Sequence, residues 1–292
     1  MSAEIVTAPR VTLRRTRKFS LRREARAIRI MVVRELIRVG RNHARMVSSF
    51  TQPVLYLFVL GTGLSALLAS DGPTIDLRTF MFPGVISMSV IMTASFLAGN
   101  LVWDREFGFL REILVAPVSR GSLILGKCLG GAVVATAQGF LILSLAGFAG
   151  VPYSPLLFAE LAGEIFLAAF AITALGVAVA ARMTSMQSFF SVQQMSLMPM
   201  IFLSGTVFPL DRLPPWLTVL TRVNPASYIV DVLRRTIFSQ LAPGPRAALT
   251  SHSGPGVTWL SYRVPTSLEL LLIGGFGLIM LLAGAISFSR SK

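Results

Sequence analysis

One stretch of the chain nearly matches a phosphate-binding loop. Residues 121–128 read Gly-Ser-Leu-Ile-Leu-Gly-Lys-Cys, close to the pattern G-x4-G-K-[ST]. Such a loop follows a strand, cradles phosphate with backbone amides and binds magnesium through its Ser or Thr hydroxyl. Here Cys128 replaces the hydroxyl and a long apolar run follows. We therefore predict no nucleotide site. Lys127 instead anchors the inner end of a membrane helix, and Gly126 and Gly130 permit close helix contact.

Carboxylates are scarce within the apolar runs. Glu160 and Glu164 lie one helical turn apart near the outer end of one run, and Glu269 lies near the outer start of another. Because ionisable groups are costly in lipid, these acids are candidates for a substrate pathway or a proton relay. The alternative is that they face outside water or pair with Arg222 or Arg263.

The chain has few residues that bind metals or form disulfides. The chain has one cysteine and two histidines, His43 and His252, far apart in sequence. A disulfide framework or a Cys-based metal site is excluded, and a histidine-built centre is not expected. We predict no metal and no cofactor on this chain, and no membrane-embedded enzyme.

The composition is that of a polytopic membrane protein. Hydrophobic residues make up 53% of the 292 residues and charged residues only 14%, against about 25% charge in soluble domains. A spanning helix needs about 20 apolar residues. We predict an all-α membrane protein with six transmembrane helices. The six spans are about 47–69, 80–102, 123–149, 157–181, 187–208 and 267–288.

The N-terminal segment, residues 1–46, holds 13 of the 27 Lys and Arg and no signal-peptide core. Residues 22–45 have helical amphipathic spacing, which predicts an interfacial helix with its arginines among lipid headgroups. That arginine stripe is Arg34, Arg38, Arg41 and Arg45. Of all Lys and Arg, 20 fall on the N-terminal side of the predicted membrane and 7 on the other. This predicts cytoplasmic termini in the inner membrane, and makes lipid rather than nucleic acid the partner of the positive charge.

Charge between the apolar runs is concentrated in residues 103–127. Trp103, Phe107, Leu110 and Leu114 recur on one helical face, and Pro117 ends the pattern. We predict a short amphipathic cytoplasmic helix over 103–114 that contacts another protein; the alternative is a solvated loop helix with no special role. The residues assigned to this contact are Trp103, Asp104, Arg105, Glu106, Phe107, Gly108, Leu110, Arg111 and Glu112.

The outer region, residues 209–266, separates the last two predicted spans. Residues 217–223 and 226–238 are predicted to form two short apolar helices, on either side of Asn224-Pro225, that dip back into the membrane. Residues 241–265 are predicted to form an ordinary exterior loop.

In residues 187–208, aromatic and methionine side chains indicate a soft surface for apolar ligands or lipid. The candidate pathway residues are Glu160, Glu164, Gln193, Gln194, Phe189 and Phe202, with interhelical hydrogen bonding the favoured role for Gln138, Gln193 and Gln194.

Three stretches resemble the type-2 ABC exporter permeases, of the antibiotic-resistance and lipid- or polysaccharide-export kind. They are residues 103–127, which are similar to D-R-E-x-G-x-L-E…P-V-S-R…G-K, then 202–217, and 224–234 with Asn-Pro-Ala-Ser-Tyr, Asp231 and Arg234. The resemblance covers most of residues 25–290. It departs at Arg111, where the family often has an acid; the acid here is Glu112.

This resemblance implies a transport subunit with no ATP site of its own. Two permease copies, identical or paralogous, would form the pathway, and two separate ATP-binding subunits would supply ATP and magnesium. Residues 103–114 would be the coupling helix and 22–45 the connecting helix. The broken outer helices would close the exit, with Gly205, Pro209, Pro214, Trp216, Asn224 and Pro225 as gate residues. The substrate would be amphipathic or lipophilic; the alternative is a proton- or cation-coupled secondary transporter acting without an ATPase.

Overall fold

The computed structural model describes residues 21–41, 43–63, 77–108, 119–206, 210, 213–244, 247, 249, 256–259 and 262–290, with only the backbone for 43–46. Its main elements are helices. They are α1 Leu21–Gly40, α2 His43–Leu55, α3 Leu77–Ala98, α4 Asn100–Glu106, α5 Arg120–Leu143, α6 Pro155–Ala180, α7 Met186–Phe202, α8 Pro215–Val223, α9 Pro225–Ser239 and α10 Thr266–Arg290. A π-helical turn, Tyr56–Leu60, continues α2.

Four helical segments are long and apolar enough to cross a membrane. They are Leu77–Glu106, Arg120–Leu143, Pro155–Ala180 and Thr266–Arg290. These agree with the second, third, fourth and sixth predicted spans. The first predicted span is helical up to residue 63, and its remainder lies outside the described residues. The fifth corresponds to α7, whose 17 residues are short for a crossing. The count of six therefore stays a prediction.

The core is built around α3, α5 and α6. Phe82, Ile86 and Ile91 of α3 are completely or almost completely buried, as are Leu161 and Ile165 of α6. Close approach depends on small residues, which is typical of helices that pack within membranes. A Cβ placed at Gly176 of α6 would lie only 2.6 Å from that of Ala98.

Helix α1 packs along α5 through the predicted glycine pair. A Cβ at Gly126 would lie 2.8 Å from the Cβ of Met31, and one at Gly130 would lie 3.0 Å from the Cγ of Glu35. The two helices run in the same direction, since Met31 pairs with Gly126 and Glu35 with the later Gly130. The predicted small-residue contact is present, and residues 21–40 of the predicted segment are helical. The interfacial position of this helix stays a prediction. The partner of its buried face is a protein helix rather than lipid.

The outer region contains the two predicted short helices, α8 and α9, meeting at Asn224. Asn224 caps α9, because its side-chain oxygen accepts a hydrogen bond from the Ala226 amide at 3.1 Å. Residues 241–265, predicted as an ordinary exterior loop, contain one short element of regular structure. Thr258–Trp259 and Tyr262–Arg263 form an antiparallel hairpin, β1–β2.

The predicted cytoplasmic helix over 103–114 also differs from the structure. Residues 100–106 form α4, which continues α3 after a turn at Gly99, so Trp103 to Glu106 belong to the end of the second span. Phe107 closes the helix, and Gly108 follows with a φ of 81°, the left-handed conformation in which glycine commonly ends helices. Residues 109–118, which include Leu110, Arg111 and Glu112, lie outside the described residues.

Candidate functional site

A cluster of buried charges joins α1, α4 and α5 at one end of the bundle, here termed the inner end because it carries Glu106 and Arg120. Its centre is Asp104, which is 1% exposed. The Asp104 carboxylate accepts hydrogen bonds from Lys127 Nζ at 2.6 Å, Arg34 Nη2 at 2.8 Å and Arg38 Nη2 at 3.1 Å. Three cations thus converge on one carboxylate.

Glu35 completes this inner charge cluster from the side of α1. It is 2% exposed, and its carboxylate lies 3.4 Å from Lys127 Nζ. It also accepts a hydrogen bond at 2.8 Å from the amide nitrogen of Asn100. With Arg34 and Arg38, the cluster holds three positive and two negative groups. A buried pair that loses one partner is costly, so the cluster fixes the three helices relative to one another.

These contacts correct or refine three sequence predictions. Arg34 and Arg38 do not lie solely among headgroups, because each donates to Asp104 while about a third of its side chain stays exposed. Lys127 lies at the inner end as predicted, but its side chain is 7% exposed and paired with both acids, so it anchors α5 to protein groups. Asp104 is too deeply buried to contact a partner protein. Arg41 is exposed, and the side chain of Arg45 lies outside the described residues.

Two aromatic side chains stand exposed beside the inner charge cluster. Trp103 is 46% exposed and Phe107 56% exposed. Their ring centroids lie 4.4 Å apart, so the pair forms one apolar patch. An exposed aromatic pair next to a buried charge cluster is a candidate for a protein contact, because aromatic side chains dominate binding energy at interfaces.

The two residues between Asp104 and Phe107 fasten this patch to another part of the bundle. Arg105 donates hydrogen bonds to the carbonyls of Met183 at 2.7 Å and Ala181 at 3.1 Å, just past the end of α6. The carboxylate of Glu106 accepts one from the Met186 amide at 2.8 Å, at the start of α7. Movement of the aromatic patch would therefore reach α6 and α7 as well as α1 and α5.

A second group of polar contacts holds the outer end together. Asn224 donates to the Met200 carbonyl at 2.7 Å, which ties α9 to the end of α7. Arg234 donates to the Gly205 carbonyl and lies over the ring of Phe80, 4.9 Å from its centroid. Of the other predicted gate residues, Pro214 and Trp216 are exposed, Pro225 is half-buried, and Pro209 lies outside the described residues.

The three membrane acids lie in different surroundings, and their predicted role in a substrate pathway stays a prediction. Glu160 is exposed, whereas Glu164 accepts a hydrogen bond from the Thr236 hydroxyl at 2.6 Å. Glu269 is fully buried and lies 3.4 Å from Arg235, which also donates to Asp231. Two of these acids therefore secure α9 through adjacent residues. The ion-pair partner of Glu269 is Arg235 rather than Arg222 or Arg263.

The other predicted pathway residues divide between two faces of α7. Phe189 is 1% exposed and packs against Gly99, and Gln193 is 6% exposed. Gln194 and Phe202 lie on the exposed face. Within the described residues, neither amide atom of Gln193 has a hydrogen-bond partner, against the predicted interhelical bond. Nε2 of Gln138 also has none there, and the prediction for Gln138 stays a prediction.

Sequence reasoning missed Glu35 and Asn100 as members of the inner charge cluster. A signal for Glu35 was present, because an acid within an arginine-rich amphipathic helix is unusual for a segment that only binds anionic headgroups. Asn100 gave no such signal. Its importance depends on which side chain α1 places opposite it.

Within the described residues, four helices long and apolar enough to span a bilayer define a multi-pass membrane protein. A family model described as ABC-2 type transporter matches residues 26–238. The chain belongs to the ABC-2 type transporter membrane family, and is the membrane subunit of an ABC transporter. This membership in general implies a partner subunit that binds ATP.

The curated relatives agree with this family. The chain is 27% identical over 210 residues to a transport permease, ycf38, of Cyanophora paradoxa, covering 70% of this chain and 72% of the relative. It is 28% identical over 221 residues to Nodulation protein J of Rhizobium leguminosarum bv. viciae, covering 72% and 80%. YbhR of Escherichia coli K12, whose name describes a multidrug ABC transporter permease, is 27% identical over 172 residues, covering 56% and 45%.

Proposed function

We propose that this chain is the permease of an exporter that moves an amphipathic or lipophilic molecule out of the cytoplasm, using ATP hydrolysed by a separate subunit. The observation that carries the proposal is the exposed Trp103–Phe107 patch, seated directly on the inner charge cluster. It provides an apolar contact for an ATP-binding subunit and a rigid connection from that contact to four helices.

The contacts at the inner end suggest how force is distributed. A push on Trp103 and Phe107 acts on Asp104, whose ion pairs carry it to α1 and α5. It acts equally on Arg105 and Glu106, whose hydrogen bonds carry it to α6 and α7. Because packed helices move between discrete arrangements, this would shift the spans as bodies between inward- and outward-open states.

The exposed face of α7 supports a pathway there. Among the described residues, the buried side chains of α7 form one stripe, and the opposite face combines apolar and amide groups. That exposed face carries Phe190, Gln194, Met195, Met198 and Phe202. A cavity of about 410 Å³ adjoins it, lined by Gln52, Ser89, Met92 and Phe190 among others. A second permease copy facing this surface would enclose a mixed polar and apolar route, as an amphipathic substrate requires.

The test is Phe107→Asp in the permease co-expressed with its ATP-binding subunit. Burying a phenylalanine contributes about 1.5–3 kcal/mol, and each 1.4 kcal/mol is about tenfold in affinity. We therefore expect retention of the ATP-binding subunit on the immobilised permease, and permease-dependent ATP hydrolysis in vesicles, to fall by about tenfold or more.

Phe148→Asp is the matched control for this test. Phe148 is 62% exposed and also contacts one aromatic ring, that of Phe58, but lies at the outer end. Phe148→Asp should leave retention of the ATP-binding subunit and permease-dependent ATP hydrolysis unchanged. If Phe107→Asp retained the ATP-binding subunit and its stimulated hydrolysis, or if both variants failed equally, the aromatic patch would not be the coupling contact.

Orientation, copy number and substrate class belong to the same proposal. The excess of Lys and Arg near the inner end supports cytoplasmic termini in a bacterial inner membrane. Two permeases and two ATP-binding subunits follow from the family resemblance, and antibiotic resistance is one role such an exporter would have. The contacts of Glu164 and Glu269 with Thr236 and Arg235 favour a structural role for these acids over the relay of a secondary transporter.

A further inference from the structure

A second cavity lies behind the α7 face, in the angle between α1 and α2. Its volume is about 250 Å³. Its walls come from α1, α2, α3 and α5. The residues that line it are Leu36, Val39, Gly40, Ser49, Thr93, Phe96, Leu97, Val134, Ala137, Gln138 and Leu141. We call it the rear cavity.

The lining of the rear cavity is apolar except for two hydroxyls and one amide. Gln138 is 6% exposed, and its Nε2 has no hydrogen-bond partner within the part of the chain that the structure describes. An unpaired buried amide costs about 1–3 kcal/mol. Because Gln138 lines the cavity, a molecule that enters the cavity would supply a hydrogen-bond partner for this residue.

Size and chemistry limit what that molecule is. Sites for whole drug-sized ligands run to about 300–1,000 Å³, so the rear cavity takes part of a molecule rather than all of it. Ordered water needs two to four polar partners, and a mostly apolar wall supplies few. A single hydrocarbon chain that carries one ester or amide linkage satisfies both conditions, with the linkage at Gln138 and the chain along Leu36, Val39 and Val134.

We propose that the rear cavity is a binding site for one acyl chain of a lipid, with Gln138 hydrogen-bonded to its carbonyl linkage. This goes beyond the proposed export function, because it assigns a binding site in a separate cavity that contains no residue of α7. The acyl chain belongs either to a bilayer phospholipid or to the transported molecule, and the cavity recognises both by the same chemistry.

The neighbouring cavity next to the α7 face shows in which direction the acyl chain extends and where it ends. The two cavities share Ser49, Thr93 and Phe96 as lining residues. The ring of Phe96 also lies 6.0 Å from that of Phe190 on α7, measured between centroids. Phe96 therefore stands between the rear cavity and the α7 face, and its side chain limits how far an acyl chain reaches.

The experiment uses the purified full chain, without ATP or an ATP-binding subunit, in vesicles of phosphatidylcholine and phosphatidylglycerol. A fraction of the phosphatidylcholine carries a photoreactive diazirine in its acyl chain. After irradiation, we expect labelled peptides from Leu36–Gly40 and Val134–Leu141 in excess of those from the exposed face of α10, which reports ordinary contact with lipid. Because ATP is absent, the outcome is independent of whether the coupling proposal holds.

Two variants test the site itself. Ala137→Phe fills the cavity and should lower labelling of its lining to the level of α10, whereas Ala159→Phe, an exposed alanine of α6 that lines neither cavity, should change nothing. Gln138→Leu should lower labelling about fivefold, the effect of one net hydrogen bond. It should also leave the lipid-free chain equally or more stable, since it removes an unpaired amide.

The outcomes distinguish a bilayer phospholipid, the transported molecule and the absence of a binding site. Excess phospholipid labelling that Ala137→Phe abolishes identifies a bilayer lipid. Absence of that labelling, together with a non-phospholipid mass bound to the wild-type chain extracted from its producing cells and lost in Ala137→Phe, identifies the transported molecule. If neither is seen, or if labelling is equal in Ala137→Phe and wild type, the site does not exist.

Discussion

Asp104→Asn removes the charge on which the inner charge cluster depends. Three cations would then surround a neutral amide, and breaking a buried ion pair in this way costs about 3–5 kcal/mol. Arg34 and Arg38 keep 31% and 35% of their side-chain surface exposed, so water compensates them partly. We therefore expect the lower end of that range, about 3 kcal/mol.

The sole cysteine of the chain provides the assay. Cys128 is fully buried beside Lys127, so a thiol-reactive fluorogenic dye labels it only on unfolding. For chains of 150–250 residues, about 2–4 °C of melting temperature corresponds to 1 kcal/mol. On this scale Asp104→Asn should lower the midpoint of Cys128 labelling in detergent by roughly 6–12 °C.

A double-mutant cycle with Lys127→Met tests the reasoning further. Lys127→Met leaves Asp104 with two arginine partners, so it should cost less, about 1–2 kcal/mol. The double variant should be more stable than the sum of the single effects by about 0.5–3 kcal/mol, the usual range for residues in contact. Glu160→Gln, which neutralises an exposed carboxylate, is the control and should stay within about 0.5 kcal/mol of wild type. An Asp104→Asn midpoint equal to that of Glu160→Gln, or strict additivity with Lys127→Met, would refute the cluster as a stabilising element.

Two further predictions use the same assay. Gly126→Ala should destabilise the chain by about 1–3 kcal/mol, because its Cβ would meet Met31 at 2.8 Å; Gly121→Ala, with nothing within 4 Å, should instead stabilise α5 by up to about 1 kcal/mol. Stabilisation by both would mean that α1 does not pack on α5. Asn224→Ala should cost about 1–3 kcal/mol, since it removes the cap of α9 and the bond to Met200. Asn224→Asp keeps the cap alone and should fall between Asn224→Ala and wild type; equality with wild type would show that the Met200 bond contributes nothing.

Much of the fold could be predicted from the order of apolar runs and breakers. Four predicted spans agree with long apolar helices, because hydrophobicity over about 20 residues is a local property. The division of the outer region into α8 and α9 followed from Asn224-Pro225, since proline fits the first turn of a helix and asparagine caps it. The glycine pair in α5 indicated close packing without naming the partner.

The end of α4 could not be predicted in the same way. The pattern of Trp103, Phe107 and Leu110 continues past Gly108, and a helix over these residues is compatible with local propensity. Local spacing does not say where a chain must leave the helix in order to place Arg105 against the carbonyls after α6. That contact joins residues 78 apart in sequence.

The sequence by itself determined that this is a multi-pass membrane protein of the ABC-2 type, that it has no complete phosphate-binding loop, and that its charge is concentrated near one end. Only the tertiary structure decided what that charge does. Asp104 meets Arg34 and Lys127 across 70 and 23 residues of chain, and Glu35 meets Lys127 across 92. Helical periodicity indicates which face of α1 is buried. The partner of each ion depends on which helix covers that face, and this is set by the packing of α1 on Gly126 and Gly130.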